Sequence, residues 1–344
     1  MKLQENVMLA PFTTFGIGGP ARWFVEALDE SSVLNAVEWA CERSLPLLML
    51  GGGSNLLVSD SGFAGLVLRV AIRGIASAED VGSRIYHVAA GEIWDEFVQR
   101  SVEEGCAGLE CMAGIPGTVG GTPVQNVGAY GQEVAETIER LRVLDLRSLT
   151  FREMAAEECE FAYRRSIFNS TERGRFLVVR VDYRLTPGGM PNLRYVDLQK
   201  VFPEPTKANL TEVAVAVREI RRSKGMLLVD GDVDCRSAGS FFKNPVISKD
   251  LFEDITVRLG QEPPHYPAGI GQMKLPAAWL IEKAGFAKGF SLGRAAISSR
   301  HTLALVNRGG ATAEEILVLK SVIVAGVLGK FGIELQMEPV LVGF

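Results

Sequence analysis

Two glycine-rich stretches constrain this chain more than any other feature in it. The first, Gly51-Gly52-Gly53-Ser54-Asn55, follows the apolar run Leu45 to Leu50. The second, Gly114-Ile115-Pro116-Gly117-Thr118-Val119-Gly120-Gly121, leads into Gln125-Asn126-Val127-Gly128-Ala129-Tyr130-Gly131. Glycine lets main chain come close to a ligand and present bare N–H groups to it. Two such loops in one domain point to one long ligand with a pyrophosphate and a flat ring, and a flavin dinucleotide has that shape. Taken alone, the first stretch fits a plain strand-to-helix loop equally well, because short glycine motifs recur by chance. Ser54 and Asn55 add side-chain donors, which favours a phosphate cradle, and the lack of a following Gly-Lys-Ser/Thr excludes a P-loop. The second stretch is more specific. Six glycines from Gly114 to Gly131, interleaved with Pro116, Pro123, Gln125 and Asn126, are hard to justify as packing.

A third stretch, Gly16-Ile17-Gly18-Gly19-Pro20-Ala21, matches Gly-x-Gly-x-x-Ala but is not a Rossmann site. Such a site needs a strand before it and a helix opening on it. Here Ala10-Pro11-Phe12-Thr13-Thr14 precedes it and Pro20 interrupts it, so a turn at a strand edge is the better reading.

With 344 residues, the chain has room for about two domains. A net charge of −5 argues against nucleic acid and anionic membrane surfaces as partners. Five cysteines without Cys-x-x-Cys spacing read as reduced thiols, and three scattered histidines do not make a metal site. No basic-then-apolar leader opens the sequence and no apolar run reaches membrane-spanning length. A cytoplasmic protein is expected.

The patterning predicts a helix capped by Ser31 and running to about Arg43, then a buried strand from Leu47 to Leu50. Further strands are expected at Leu66–Val70, Ile85–Ala89, Leu141–Leu146 and Phe176–Leu185. A helix from Ile93 to Glu104 should stop at Gly105. Breakers at Thr186-Pro187-Gly188-Gly189-Met190-Pro191-Asn192 and Phe202-Pro203-Glu204-Pro205 place a domain boundary there. Beyond it, Thr211 should cap a helix to about Lys224. A short helix spans Pro276 to Lys283, and the capping box Thr312-Ala313-Glu314-Glu315 opens a helix to about Lys330. Alternating strands and helices give an α+β or α/β chain.

Two further motifs carry chemistry. In Ser237-Ala238-Gly239-Ser240-Phe241-Phe242-Lys243-Asn244-Pro245, small residues precede a serine and two aromatics follow it. A strand entering a turn would explain the segment, and so would a serine hydroxyl held in a narrow, half-apolar pocket. Gly-x-Ser-x-Gly is absent, and with so few histidines no activating base is evident, so Ser240 is better cast as a proton donor than a nucleophile. Tyr163-Arg164-Arg165-Ser166-Ile167-Phe168 sets two arginines among aromatics. A partly buried guanidinium there would need an anion, and a substrate carboxylate would serve.

In this order the segments resemble the UDP-N-acetylenolpyruvoylglucosamine reductase family, flavoenzymes of bacterial peptidoglycan precursor synthesis. The resemblance runs from Thr13-Thr14-Phe15-Gly16 to the final strand. It implies an α+β chain: a two-lobed FAD-binding domain of the vanillyl-alcohol-oxidase (PCMH) type over 12–190, a linker and tyrosine loop over 191–210, and a smaller α/β substrate-binding domain over 211–344. It implies FAD as cofactor, NADPH as hydride source and UDP-N-acetylglucosamine enolpyruvate as substrate; a monomer without bound metal is expected alongside. On the same resemblance Ser240, Arg164 and Glu338 are catalytic. Gly51, Gly52, Gly53, Ser54, Asn55, Gly114, Ile115, Pro116, Gly117, Gly120, Gly121, Asn126, Gly128 and Ala129 hold FAD. Tyr130, Tyr195, Lys224 and Asn244 contact substrate or nucleotide. Tyr195, in Arg194-Tyr195-Val196-Asp197-Leu198, is similar to the tyrosine loop of the longer, type I form. The family often closes on Leu-Glu-Pro-Glu-Val, where this chain has Leu335-Gln336-Met337-Glu338-Pro339. Counting back from Gly343 puts Glu338 at the catalytic position, with Glu334 the nearby rival. The segment Gly225 to Arg236 lacks the common Leu-Pro and is longer than in some members. The competing expectations are another FAD-dependent oxidoreductase of the same cofactor fold and a non-catalytic nucleotide-binding module.

Overall fold

A computed structural model describes residues 1–204 and 207–344, so the breaker Pro205 and its neighbour Thr206, within the expected 191–210 linker, lie outside the described residues. The chain forms two compact units. The first comprises Met1–Val7, Pro20–Gly53 and Phe63–Arg222; the second comprises Met8–Gly19, Ser54–Gly62 and Ser223–Phe344. The division therefore falls elsewhere than the expected boundaries. The helix Leu210–Ser223 packs through Leu210, Val213, Ala214 and Val217 into the first unit's core, and two short segments of the amino-terminal part belong to the second unit.

The first unit has two large sheets, and a two-stranded ribbon pairs Gly128–Ala129 with Gln132–Glu133. One is four-stranded, in the order Gln4–Met8, Pro20–Ala27, Phe63–Val70, Leu47–Leu50. Phe63–Val70 lies parallel to both Pro20–Ala27 and Leu47–Leu50. Leu66, Val67 and Leu68 are all buried in succession, as expected of a strand covered on both faces. The connection between the two flanking strands is the helix Glu30–Glu42, which buries Val33, Ala36, Val37 and Ala40 at helical spacing. Its N-cap is Asp29 rather than the expected Ser31. The Asp29 carboxylate accepts from the Ser32 N–H while the Ser32 hydroxyl accepts from the Asp29 N–H, a reciprocal box Ser31 could not close.

The other sheet is six-stranded. Its order is Thr150–Ala155, Ile138–Asp145, Phe176–Pro187, Ser83–Ala89, Ile75–Asp80, with Cys106–Ala107 added beside Phe176–Pro187. The long central strand is antiparallel to the neighbours on each side. Trp94 and Phe97, from the helix Trp94–Glu103, pack on its Tyr183 with ring centroids 5.8 and 5.1 Å away. The fully buried Tyr183 hydroxyl shares a 2.7 Å hydrogen bond with the Thr122 hydroxyl, which pins the end of the second glycine stretch to the sheet.

The second unit is built on the helix Ala313–Phe331, opened as expected by a Thr312–Glu315 capping box. It buries Ile316, Leu319, Ile323, Val327 and Phe331 in a core with Phe15, Leu57, Phe241 and Phe242. Strand Val340–Val342 pairs in parallel with Leu56–Val58, setting Leu341 opposite Leu57. The helix Leu210–Ser223 of the first unit also starts from a different cap than expected. Asn209 accepts from the Glu212 N–H and Glu212 reaches back to the Asn209 N–H, so Thr211 is within the first turn. Among the described residues, no helix is long and apolar enough to cross a membrane.

Candidate functional site

The two glycine stretches, some sixty residues apart in sequence, meet in the first unit. A Cβ on Gly52 would stand 2.5 Å from the Gly117 Cα, and one on Gly51 would stand 2.6 Å from the Thr118 hydroxyl. At Gly52 and Gly117 the two loops can therefore meet only as bare main chain, while Gly51 leaves room for the Thr118 hydroxyl. Among the described residues, the N–H groups of Gly52, Gly53, Gly117 and Thr118 donate to no protein acceptor. Clustered peptide donors in a concave glycine loop suit a pyrophosphate. This donor set fits the cofactor expected from the sequence. The unit division falls inside the first loop, so Ser54 and Asn55 belong to the second unit.

Gly114, the entrance of the second stretch, has φ +74° and is held on both sides. Its N–H donates to Asp95 Oδ1 (2.6 Å) and its carbonyl accepts from Arg221 Nε (2.9 Å). Asp95 is in turn bound by Arg218 Nη2 (2.7 Å). Two helices thus clamp one residue from both sides. Arg221 is almost fully buried, and that burial, partly offset by Tyr130 and Asp95, lowers its pKa from the usual guanidinium range. Neither Asp95 nor Arg221 was among the residues expected from the sequence. The signal was present for Arg221, which continues the buried face of Leu210, Val213, Ala214 and Val217.

The stretch from Asn126 to Tyr130 is braced rather than open. Asn126 is buried at φ +47°; its Nδ2 donates to Glu133 Oε2 (2.8 Å) and the Ala162 carbonyl (3.2 Å), and its Oδ1 accepts from the Ala135 N–H (3.1 Å). Its side chain therefore shapes the loop. Arg164, itself at φ +54°, donates from Nη2 to the Gly128 carbonyl (2.7 Å) and from Nη1 to the Asn126 carbonyl (3.4 Å). The expected cofactor loop and the expected carboxylate-binding arginine are therefore in direct contact. Tyr130 and Tyr195 also meet, ring edge to ring face, with centroids 5.2 Å apart.

The second unit brings together Ser240, Glu338 and Asn55. The Glu338 N–H donates to the Phe241 carbonyl (2.9 Å), the Lys243 N–H donates to the Gln336 carbonyl (2.9 Å), and Phe242 bridges Met337. The Val340 N–H donates to the Asn55 carbonyl (2.9 Å), and Asn55 Nδ2 donates to the Glu338 carbonyl (3.4 Å). Glu338 is half-buried beside the serine segment, whereas Glu334 is exposed, so main-chain pairing separates the two carboxylates. Asn244 Oδ1 accepts from the Ala277 N–H (2.9 Å) at the start of the helix Ala277–Lys283, which fixes the amide's orientation. Lys224 follows Ser223 at the start of the last segment of this unit, and its charge adds to burial in pushing the His301 pKa down to about 4. Ser240, Glu338, Asn244 and Lys224 thus belong to the second unit, and Arg164, Tyr130 and Tyr195 to the first.

Comparison with known proteins divides the chain in a similar way. A model described as an FAD binding domain matches residues 21–150, and one described as the UDP-N-acetylenolpyruvoylglucosamine reductase C-terminal domain matches residues 231–342. The UDP-N-acetylenolpyruvoylglucosamine reductase of Thermobifida fusca is 46% identical over 350 residues, covering 98% of each chain. That of Streptomyces coelicolor is 45% identical, covering 98% of this chain and 90% of its own. The crystal structure of the Thermus caldophilus reductase superposes with a TM-score of 0.68 at 26% identity, over 99% of both chains.

Proposed function

Because the chain belongs to the UDP-N-acetylenolpyruvoylglucosamine reductase family, we propose that it reduces the enolpyruvyl group of UDP-N-acetylglucosamine enolpyruvate to the lactyl group of UDP-N-acetylmuramate. NADPH is the hydride source, and the product serves peptidoglycan precursor synthesis. FAD, when bound, supplies the redox chemistry by relaying the hydride from NADPH to the vinyl carbon C3. Gly51 to Asn55 and Gly114 to Gly121 are assigned to its pyrophosphate and ring, with Gly128 and Ala129 alongside.

The remaining chemistry falls to side chains. Hydride arrival at C3 pushes electron density onto C2 and the neighbouring carboxylate. Arg164 is assigned that carboxylate, since a fixed guanidinium pairs with it in two-pronged fashion. Ser240 delivers the proton to C2; a hydroxyl is a weak acid, but the carbon it meets is a strong base. Glu338 serves in protonated or charge-compensated form, because a bare carboxylate would repel the developing charge. Tyr130, Tyr195, Lys224 and Asn244 are assigned to the sugar nucleotide. The five cysteines are free thiols, which suits a reducing, cytoplasmic setting for an enzyme acting as a monomer.

The observation that carries this reading is the ladder that sets Glu338 beside the Ser240 segment, within the part of the chain that matches the reductase domain. Anaerobic stopped-flow on the flavin band tests it. NADPH is expected to bleach the FAD-loaded protein, and the enolpyruvyl sugar nucleotide to restore the colour. Bleaching by a small alcohol, with colour restored by oxygen but not by the sugar nucleotide, would favour another flavin oxidoreductase. A protein that stays colourless after FAD addition would favour a nucleotide-binding module.

A further inference from the structure

Within the first unit, Asn192 is fixed at four points. Its N–H donates to Glu110 Oε1 (2.8 Å), and its carbonyl accepts from the Cys111 thiol (3.1 Å). Its Nδ2 donates to the Gly131 carbonyl (2.9 Å), and its Oδ1 accepts from the Arg194 N–H (3.0 Å). Glu110 is fully buried, and its carboxylate also accepts from Gln132 Nε2 (2.8 Å) and the Gly108 N–H (2.9 Å). Gln132 closes the circuit by accepting from the Cys111 N–H (2.8 Å). A buried carboxylate with this many donors is costly to disturb, because any donor lost leaves charge unsatisfied.

The network has a direction. Gly131 and Gln132 follow Tyr130 in the chain, and Asn192 lies three residues before Tyr195. The Asn192 amide therefore ties the loop that ends in Tyr195 to the loop that carries Tyr130. The two rings meet at the far end of that tie, where Tyr195 is 39% exposed and Tyr130 buried. The Tyr195 ring packs on Tyr130, and the anchor behind it sets where its loop carries it.

We infer that Asn192, seated on the buried Glu110, is the positioning residue for Tyr195, fixing where that phenol is presented to the sugar nucleotide. The inference rests on the reading that Tyr195 contacts substrate. Asn192 itself touches no reacting atom; it acts through the loop. Losing its amide frees the loop by two hydrogen bonds without altering the glycine cradle, so binding of the sugar nucleotide weakens while the reaction with NADPH does not change.

The test uses FAD-loaded protein carrying Asn192→Ala, Tyr195→Ala, or both. KM for UDP-N-acetylglucosamine enolpyruvate and the rate of flavin reduction by NADPH are measured separately. Asn192→Ala is expected to raise that KM about tenfold, the worth of a lost hydrogen bond or two, with flavin reduction unchanged. The double variant is expected to match Tyr195→Ala alone, because the two residues act as one unit. If Tyr195→Ala raises KM and Asn192→Ala does not, or if the two effects multiply, the inference falls and the substrate role of Tyr195 stands. If Tyr195→Ala itself leaves KM unchanged, that role falls and takes the inference with it.

Discussion

The glycine cradle and the Ser240 segment solve different problems with different parts of the chain. The cradle works with main chain. Among the described residues it leaves peptide N–H groups without protein acceptors, and side chains are absent where the loops meet at Gly52 and Gly117. The Ser240 segment works with single side chains, and main chain enters only as the ladder that holds Ser240 beside Glu338. A region built on peptides should tolerate exchange of its side chains but not the addition of a methyl group. A region built on side chains should show the reverse.

The largest expected effect lies on the side-chain region. Ser240→Ala should slow flavin reoxidation by the sugar nucleotide by about 10²–10⁴-fold, the usual worth of a placed general acid. Stopped-flow should show flavin reduction by NADPH proceeding at its normal rate; slowing of both half-reactions together would mean Ser240 is not the proton donor. Next comes the main-chain region. Gly52→Ala forces a methyl to within 2.5 Å of the Gly117 Cα, and relieving that overlap should weaken FAD binding about 10–100-fold. Fluorescence titration of the apoprotein reads this directly, and undiminished affinity would remove Gly52 from the cradle.

A smaller effect is expected where the two designs combine, at the clamp on Gly114. Asp95→Asn keeps the shape but removes the charge that Arg218 pairs with. FAD affinity should fall by about tenfold or less, with KM for the sugar nucleotide unmoved. The smallest effect is confined to acid. His301 is held neutral by burial, then by Lys224 and Lys288, against an opposing pull from Glu282, so its folded pKa, about 4, is below the ordinary 6.5. Between those values the unfolded chain binds the proton more readily, so stability falls as pH drops through the window and is fully present above it. The slope is at most ~1.4 kcal/mol per pH unit from this group. His301→Gln should flatten that part of the melting-temperature profile.

The same contrast explains what was legible in the sequence. Close main-chain approach leaves glycine as its mark, so both halves of the cradle were visible as residues. Their meeting was not, because nothing local in Gly51–Gly53 specifies Gly117. Strong periodicity located the helices, and the Thr312–Glu315 box located a cap. Asp29-Glu30-Ser31-Ser32 offers several cap-forming residues in a row, and only the reciprocal Asp29–Ser32 pair decides among them. The side chain of Asn126 looked available for a ligand, yet it braces its own loop, a role that depends on Glu133 and Ala162 being brought to it. Arg221 went unnoticed because a basic residue near a helix end ordinarily faces water, and here it continues the apolar stripe.

The second unit takes in Phe15, Ile17 and Leu57 from short early segments, and its last strand lies against Leu56–Val58. No single cut in the polypeptide can release it intact. A fragment starting at Ser223 would expose an unpaired strand edge and a gap in its apolar interior, inviting aggregation rather than autonomous folding. Dissecting this enzyme into halves would require joining three stretches of chain by new linkers, not trimming one end.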